Sequence, residues 1–484
     1  MRSLYARLHS RFGEPIDRRD MIRRSLAAAA GVLLSDRLPS AQRSSSPRVV
    51  VIGAGLAGLA AGYELSRSGA DVTVLEARNR LGGRVLSFRD LVPGGTMEGG
   101  AELIGSNHPI WNAYKERFKL SFLDVTDEDG EAPIVLNGRR LNAAEAEQLW
   151  EEMSTALSGM NADAATIGDP FAAWDAPLAR VSDLRSLADW IATLAASDLC
   201  KAGVDAQMVG DNGVATAWQS YLGNIAMVKG GGVEKFWTET EVYRCAGGSQ
   251  QLAQRLAEAI GMPRVLLRQA VSAIAVSDRG VTVTAGSTKH ECDFAVLAVP
   301  PLTWNRIAFR PRLHVSALPQ MGSNVKFLMK TKDQFWRRGR LAPDLMTDGP
   351  VHLTWHTTLH QKVAGAGVVA FSGGPSADTC RGWAPAERTE RYLSALSPVF
   401  TGLRASFERA RFMDWPSDPW VKGSYSFPAP GEVTTLGPQL QQPLAGRVFL
   451  AGEHTCYAFV GYMEGALQSG ARAARRIADA SARP

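Results

Sequence analysis

The hydrophobic pattern begins with a strand, a glycine-rich turn and a helix in close succession. Residues 48–52 form a β-branched run of the kind found in a buried parallel strand. Residues 53–58 contain three glycines, and residues 59–65 then place apolar side chains at helical spacing. Residues 71–75 return to a strand pattern. This order predicts a βαβ unit of an α/β fold, in which a helix joins two parallel strands.

Length and composition indicate a soluble globular protein of more than one domain. The 484 residues are 45% hydrophobic and 21% charged, which excludes a disordered, collagenous or multi-span membrane chain. Residues 1–41 hold eight Arg against four acidic residues and so carry most of the formal charge of +5. The rest of the chain has no basic cluster interleaved with aromatic residues, so no nucleic-acid partner is expected. The five cysteines are scattered without a Cys-x-x-Cys pair, so neither a disulfide framework nor a metal site is indicated.

The N-terminal segment has the pattern of an export signal. Residues 17–23 contain paired arginines followed by apolar residues and a third arginine, and residues 25–34 form an uncharged apolar run. Such a run is too short to span a bilayer, which needs about 20 residues, but it suits the core of a signal peptide. The pattern resembles the twin-arginine signal of bacteria, from which Asp17 and Met21 depart.

This resemblance implies a signal peptide over residues 1–41, with a cleavage site near Ala41, and a linker at residues 42–47. The twin-arginine export machinery would then be a partner, and the protein would be exported already folded to the periplasm or the medium of a bacterial cell. The alternative is that the same residues form an ordinary amphipathic N-terminal helix.

The glycines of the first turn have separate tasks in a dinucleotide-binding unit. Gly53 makes the tight turn, Gly55 lets the backbone approach a pyrophosphate, and Gly58 lets the helix pack on the strand. The free N–H groups at the helix start, near Leu56 and Ala57, would face the phosphates. The turn therefore predicts a phosphate-containing cofactor.

An acidic residue and a second glycine turn follow directly. Glu76 ends the second strand about 20 residues after the glycines, where a carboxylate can accept hydrogen bonds from an adenosine ribose. Residues 77–85 then contain a glycine pair and Arg84, which can bring a positive charge to the same pyrophosphate. This string resembles the second FAD signature of the flavin amine oxidase family, which includes monoamine, polyamine and L-amino acid oxidases. Residues 98–105 resemble the loop that in this family passes over the flavin ring.

The resemblance recurs late in the chain. Residues 448–455 look like a strand that delivers Glu453 to the ribityl and phosphate region of the flavin, and residues 461–470 open a terminal helix. Residues 265–271 suit the strand that meets the adenine, and residues 295–301 the strand that leaves this domain. The resemblance thus implies FAD as the cofactor. The residues expected to bind it are Gly53, Gly55, Leu56, Ala57, Gly58, Glu76, Ala77, Arg78, Gly83, Arg84, Gly100, Ala101, Val271, Glu453, Tyr462 and Met463.

The implied fold class is α/β, with a Rossmann-like FAD-binding domain built from discontinuous segments and a mixed helix and sheet substrate domain. The FAD-binding domain would comprise residues 48–125, 241–312 and 440–484. The substrate domain would comprise residues 126–240 and 313–439; the first of these segments has apolar residues at helical spacing and few strand signals. The sequence leaves open whether the protein forms a homodimer.

Three residues resemble the family's catalytic positions. Lys326 matches the flavin-facing lysine, which holds a water molecule against the flavin and helps oxygen react; a surface-strand lysine is the alternative. Tyr425 and Tyr462 match the two aromatic residues that flank the substrate amine in monoamine oxidases, where an apolar cage lowers the amine's pKa. Ser424 stands where mammalian monoamine oxidases carry the cysteine that bonds to the flavin, so FAD is expected to be held without a covalent bond.

Glu102 departs from the family pattern and bears on the substrate. In L-amino acid oxidases like the snake-venom enzymes, an arginine near this point pairs with the substrate carboxylate. A glutamate would repel a carboxylate and attract a second cationic group, which favours amines, diamines or basic amino acids. The alternative is a loop acid bonded to backbone.

The resemblance implies an FAD-dependent oxidase of a primary amine or L-amino acid. Hydride would leave the carbon beside the amine, and the resulting imine would hydrolyse to a carbonyl compound and ammonia while oxygen becomes hydrogen peroxide. Three alternatives remain: a dehydrogenase that passes electrons to a carrier protein, a carotenoid or porphyrinogen dehydrogenase, and a flavin-binding protein without turnover.

Overall fold

The computed structural model describes residues 3–14 and 46–482. The predicted twin-arginine motif, its apolar core and the cleavage site near Ala41 lie outside these residues. The helices are α1 Leu4–Phe12, α2 Leu56–Arg67, α3 Pro109–Phe118, α4 Ala143–Ala165, α5 Ala179–Leu184, α6 Leu187–Ala192, α7 Asp198–Asn212, α8 Tyr221–Gly230, α9 Phe236–Glu239, α10 Gln250–Ile260, α11 Gly374–Gly382, α12 Pro385–Leu396, α13 Leu403–Ser406, α14 Glu432–Gln441 and α15 Met463–Ala482.

The strands complete an α/β architecture, as the sequence predicts. They are β1 Arg48–Ile52, β2 Asp71–Leu75, β3 Ser87–Phe88, β4 Met97–Glu98, β5 Leu103–Ile104, β6 Phe122–Asp124, β7 Ile134–Leu136, β8 Arg139–Arg140, β9 Tyr243–Cys245, β10 Val265–Leu266, β11 Val271–Ser277, β12 Gly280–Ala285, β13 Thr288–Cys292, β14 Phe294–Leu297, β15 Ala308–Arg310, β16 Asn324–Thr331, β17 Met346–Thr347, β18 Leu353–His356, β19 Ala366–Gly373, β20 Phe407–Asp414 and β21 Val448–Leu450.

A parallel sheet forms the first layer of the fold. Its strand order is β10-β2-β1-β14-β21, and all four pairings are parallel. The strands come from distant parts of the chain, and each is a short run of mainly apolar residues whose two faces are covered by packed elements. One expectation changes in detail: the predicted strand at residues 265–271 ends at Leu266, and Arg268 turns the backbone with a φ of 58° before β11 begins in another sheet.

The second part of the fold combines a mixed sheet with helices. The strand order of this sheet is β20-β16-β19-β18-β17-β7-β8. Helices α4 to α9 occupy most of residues 143–239, in agreement with the helical spacing there. Strand β16 is buried along almost its whole length between β19 and β20, and its first residues, 324–326, line the main cavity of the molecule.

Helix α1 shows that the first part of the N-terminal segment is folded. Leu4 and Leu8 are buried in the same hydrophobic core as α4, and Ser3 caps the helix by accepting a hydrogen bond from the amide of Ala6. The guanidinium of Arg7 pairs with Asp344 at 3.5 Å. Residues 4–12 therefore form an amphipathic helix whose apolar face packs on a partner surface that sequence alone does not reveal, while the export signal at residues 17–34 stays a prediction.

The five cysteines are all buried and free, as expected for small apolar side chains. Within the two described segments, no helix is both long enough and apolar enough to cross a membrane.

Candidate active site

The first glycine turn has the geometry that its sequence predicts. Gly53 has a φ of +104°, and a Cβ atom there would lie 2.8 Å from the carbonyl oxygen of Ala298. A Cβ atom on Gly58 would lie 1.9 Å from the carbonyl oxygen of Gly53, so only glycine lets α2 pack this close to the turn. A Cβ atom on Gly55 would meet no atom within 4 Å, because this position opens into a cavity.

The second glycine turn packs against the first. The amide of Gly82 donates a hydrogen bond to the carbonyl of Ala54 at 2.9 Å. Gly83 has a φ of +57°, and a Cβ atom on it would lie 3.3 Å from the Cα of Gly55. The two turns therefore form one continuous backbone surface at the end of the cavity, with N–H groups available to an anion.

Two acidic residues organise this end of the cavity. The carboxylate of Glu76 accepts hydrogen bonds from the amides of Ala54 and Arg78, both at 2.8 Å. The carboxylate of Glu453 pairs with Arg84 at 2.7 Å and accepts a hydrogen bond from the hydroxyl of Ser426 at 2.6 Å. Burial raises the pKa of Glu453, but Arg84 and Ser426 outweigh burial and hold the pKa below its usual value. Hydrogen bonds thus hold both carboxyl groups in place at this end of the cavity.

The cavity runs from these turns to the mixed sheet. It is lined by every predicted cofactor residue except Gly58, which lies behind the turn: Gly53, Gly55, Leu56, Ala57, Glu76, Ala77, Arg78, Gly83, Arg84, Gly100, Ala101, Val271, Glu453, Tyr462 and Met463. The three predicted catalytic residues, Lys326, Tyr425 and Tyr462, line the same cavity together with Glu102.

The two tyrosines line the same cavity and lie near each other. The hydroxyl of Tyr425 donates a hydrogen bond to the backbone carbonyl of Asp211 at 2.8 Å, which fixes its ring. A Cβ atom on Gly461 would lie 3.2 Å from the ring of Tyr425, so the residue directly before Tyr462 lies against that ring. Burial raises the pKa of both tyrosine hydroxyls well above the usual value, so both rings are neutral.

Lys326 is a buried residue rather than a surface-strand lysine, with 8% of its surface exposed. Its ammonium group donates hydrogen bonds to the carbonyls of Glu98 (3.2 Å) and Gly100 (2.9 Å) and to the carboxylate of Glu102 (2.9 Å). Because an ammonium has three hydrogens, these contacts use all of its donors. In this arrangement Lys326 fixes the loop of residues 98–102 and has no donor left for a water molecule.

Glu102 does not present a free anion, which corrects the expectation that it attracts a substrate cation. Arg244 pairs with Glu102 at 2.9 Å, and the indole of Trp355 and the hydroxyl of Thr357 also donate to its carboxylate. Arg244 reaches it because β9 pairs with β5 directly after Glu102. Burial raises the pKa of Glu102, but Lys326 and Arg244 outweigh burial and lower it to about 2. Both neutralising cations lie far away in sequence.

Two further carboxylates, which the sequence motifs do not indicate, also line the cavity. Asp211 lies near the end of α7, and Glu241 lies between α9 and β9. They are 30 positions apart in sequence, and neither lies in one of the motifs that resemble the family. No local spacing could have brought them together.

A buried histidine was also missed, although it directly follows the predicted residue Glu453. His454 is 2% exposed and lines the cavity, and neither of its ring nitrogens has a hydrogen-bond partner within the described residues. Burial lowers the pKa of His454 to about 4, so the ring is neutral and can both donate and accept one hydrogen bond. A polar ring in this situation indicates a ligand in the cavity.

Comparisons with known proteins agree with this geometry. The family model described as flavin-containing amine oxidoreductase matches residues 56–478. An L-amino acid dehydrogenase of Synechocystis is 29% identical over 90% of this chain and 95% of its own. The flavin-containing amine oxidase B of Cavia porcellus is 28% identical over 89% of this chain and 86% of its own.

Solved structures have the same fold. Cyclohexylamine oxidase from Brevibacterium oxydans has a TM-score of 0.81 and 26% identity, with 91% of this chain and all of that chain covered. Putrescine oxidase bound to putrescine has a TM-score of 0.80 and 25% identity, with 90% of this chain and 99% of that chain covered.

Proposed function

The chain belongs to the family of flavin-containing amine oxidoreductases, and from this premise we propose that it is an FAD-dependent oxidase of amines that carry no carboxylate. The single observation that carries the proposal is the cavity, which joins the two glycine turns to Tyr425 and Tyr462 and in which, among the described residues, every lining cation except Arg306 is paired with an acid. The products expected are a carbonyl compound, ammonia and hydrogen peroxide.

The residues of the cavity fit FAD. The open space at Gly55 and the backbone N–H groups of both turns suit a pyrophosphate, and the unpartnered nitrogens of His454 could bond to another polar part of the cofactor. Glu76 would hold the ribose, and Arg84 would add positive charge near the phosphates. When bound, FAD supplies the two-electron chemistry, while the protein binds the amine, excludes water and keeps the amine neutral.

The charges around the cavity argue against a substrate carboxylate. Three of the four cations that line the cavity within the described segments are paired with acids: Arg78 with Asp418 at 2.6 Å, Arg84 with Glu453 at 2.7 Å and Lys326 with Glu102 at 2.9 Å. The fourth, Arg306, is exposed and lies 5.3 Å from the ring centroid of Trp420. A buried carboxylate without a cation is strongly disfavoured, so an amine is the better substrate.

Anaerobic reduction of the purified protein tests this assignment. Phenylethylamine, putrescine, L-phenylalanine and L-arginine are added to separate samples, and the flavin absorbance is followed before and after air is admitted. We expect amines to bleach the flavin and amino acids to leave it unchanged. Bleaching by either amino acid, with or without bleaching by amines, would refute the carboxylate argument.

The electron acceptor is decided in the same experiment. Return of the flavin colour in air together with peroxide supports an oxidase. Bleached flavin that stays reduced in air would instead support the second candidate, a dehydrogenase that passes its electrons to a carrier protein. This candidate is favoured by the three hydrogen bonds of Lys326, which use all the donors of its ammonium group. FAD released by denaturation and filtration would support non-covalent binding, as expected for Ser424, which has no thiol.

His454 is expected to contribute to FAD affinity. A His454→Phe variant keeps the ring but removes both nitrogens, so the dissociation constant of FAD should rise by about 3- to 10-fold, the usual value of one neutral hydrogen bond. Fluorescence titration of the apoprotein with FAD measures this dissociation constant. His290→Phe is the matched control, because His290 also has an unpartnered ring nitrogen but does not line the cavity. Equal affinities of the two variants would contradict the contact.

We also propose export by the twin-arginine route, which the motif at residues 17–23 supports. Replacement of Arg18 and Arg19 by lysine should keep the protein in the cytoplasm, and cell fractionation measures this. Mass spectrometry of the exported protein would locate the processing site. Cleavage near Ala41 would remove α1 together with the contacts of Leu4 and Leu8, whereas an intact N-terminus would mean that α1 stays in the mature enzyme. An unchanged distribution between fractions would contradict the proposal.

A further inference from the structure

His108 is a buried histidine that none of the sequence motifs indicates. It is completely buried and lies directly before α3, just after the loop of residues 98–105. Its Nδ1 atom accepts a hydrogen bond from the amide of Gly105 at 2.9 Å, so the proton of the ring is on Nε2. Burial lowers the pKa of His108 to about 3, which keeps the ring neutral. Its Nε2 atom has no hydrogen-bond partner among the described residues.

The ring of His108 packs edge-on against two aromatic rings. Its centroid lies 5.5 Å from that of Tyr462 and 5.7 Å from that of Phe459, and the ring planes cross at 65° and 88°. Aromatic rings favour this geometry, because the positive edge of one ring meets the negative face of the other. His108 does not line the cavity, whereas Tyr462 does. Any effect of His108 on a bound amine therefore passes through a neighbour such as Tyr462.

The two tyrosines of the cavity are held in different ways. The hydroxyl of Tyr425 is anchored by the backbone carbonyl of Asp211. Within the described segments, the hydroxyl of Tyr462 makes no hydrogen bond, and its one aromatic ring contact is with His108. The angle of the Tyr462 ring is therefore set by packing, and His108 supplies the aromatic part of that packing.

Hydrogen bonds fix the backbone on both sides of this ring pair. Glu464, two residues after Tyr462, accepts hydrogen bonds from the amides of Ile110 and Trp111, both at 2.9 Å. These amides belong to the first turn of α3, which begins directly after His108. The starts of α3 and α15 are thus joined, and the two rings are held opposite each other.

We propose that His108 is a positioning residue that holds the ring of Tyr462 at the angle at which this ring meets the substrate amine. The inference rests on the proposed amine oxidase function and adds a residue that does not itself line the cavity. A ring held at one angle limits the orientations of a bound amine, and correct orientation speeds the step that follows binding. Since Nδ1 of the same ring holds Gly105, His108 also links the loop of residues 98–105 to Tyr462.

Two substitutions separate the two contacts of His108. His108→Phe keeps an aromatic ring against Tyr462 but cannot accept the hydrogen bond from Gly105. His108→Asn keeps an acceptor for Gly105 but removes the ring. His352→Asn is the matched control, because His352 is also buried, also accepts a hydrogen bond through Nδ1 from a glycine amide (Gly373, 3.4 Å) and does not line the cavity.

Anaerobic reduction of the holoenzymes by phenylethylamine and putrescine gives the rate constant at saturating amine and Kd separately. In His108→Asn the rate constant per bound flavin should fall by about 2- to 10-fold, the value of one edge-to-face ring contact, while Kd changes less. A purely structural role would instead lower the flavin content and leave this rate constant unchanged. His108→Phe and His352→Asn should keep the wild-type rate constant.

Three outcomes of these measurements would overturn the inference. They are a wild-type rate constant in His108→Asn, an equal loss in His108→Asn and His108→Phe, and an equal loss in His352→Asn. Because His108→Phe must keep the rate constant, the inference stays testable if His108→Asn does not fold.

Fluorine NMR tests the same inference without turnover. In protein labelled with 3-fluorotyrosine, line widths show the mobility of each tyrosine ring, and a Tyr462→Phe variant identifies the signal of Tyr462. This signal should narrow in His108→Asn, because the ring loses its edge contact, and should keep its width in His108→Phe. An unchanged width in His108→Asn would overturn the inference. Absence of flavin reduction by every amine, with the expected change in line width, would refute the proposed function and not the ring contact.

Discussion

A Gly55→Val variant is expected to fold and to purify without FAD. A Cβ atom at this position meets no protein atom within 4 Å, and Gly55 has a φ of −76°, which any residue adopts. The valine side chain should therefore leave the packing of β1 and α2 intact. It would project into the space where the backbone of both turns must approach a pyrophosphate. The absorbance spectrum of the purified protein measures the loss of flavin, and circular dichroism measures the retained fold.

Two further glycines sharpen this prediction. Gly58→Val should lose both the flavin and the fold, because its Cβ atom would lie 1.9 Å from the carbonyl oxygen of Gly53. Gly159→Ala should lose neither, because Gly159 is exposed on α4 and its Cβ atom would meet nothing. A yellow Gly55→Val protein with wild-type flavin content would mean that the pyrophosphate does not lie at this turn.

The residues that the sequence predicted at this end of the cavity share one property. Gly53, Gly55, Gly58 and Glu76 act within a single βαβ unit, so their spacing in sequence determines their arrangement in space. Arg84 follows in the adjacent turn. Local motifs of this kind report backbone geometry directly, and the structure has the predicted turn and helix at these positions.

The charges around the tyrosines could not be predicted in the same way. Glu102 was recognised as unusual, but its partners Arg244 and Lys326 lie 142 and 224 positions away in sequence. Whether a buried carboxylate is free or neutralised depends on such distant contacts, and no local pattern records them. The folding of helix α1 could not be predicted for the same reason, because its apolar face is stabilised by a distant surface formed from α4 and α7.

Glu102→Gln is expected to destabilise the holoenzyme by about 3–5 kcal/mol, the usual cost of removing one partner from a buried ion pair. Glutamine has nearly the same shape, so the variant leaves Arg244 and Lys326 buried without an anion. Urea unfolding at pH 7 measures the difference. Because the pKa of Glu102 is lowered from 4.5 to about 2 in the folded state, its contribution is complete above pH 4.5 and is lost as the pH falls through about 2. The difference in unfolding free energy between wild type and variant should therefore become smaller as the pH falls over this range.

Glu98→Gln is the control. Glu98 is an equally buried carboxylate, but its surroundings raise its pKa, whereas those of Glu102 lower it. Burial, together with the negative charge of Glu102, raises the pKa of Glu98 to about 7. A raised pKa means that the folded state favours the protonated form, so stability decreases as the pH rises from 4.5 to 7. Glutamine imitates that neutral form and can still accept hydrogen bonds from Ser87 and Ser249. At pH 8 the variant should equal or exceed the wild type in stability. Equal destabilisation by both substitutions would show that shape, and not the cations around Glu102, determines the stability of this loop.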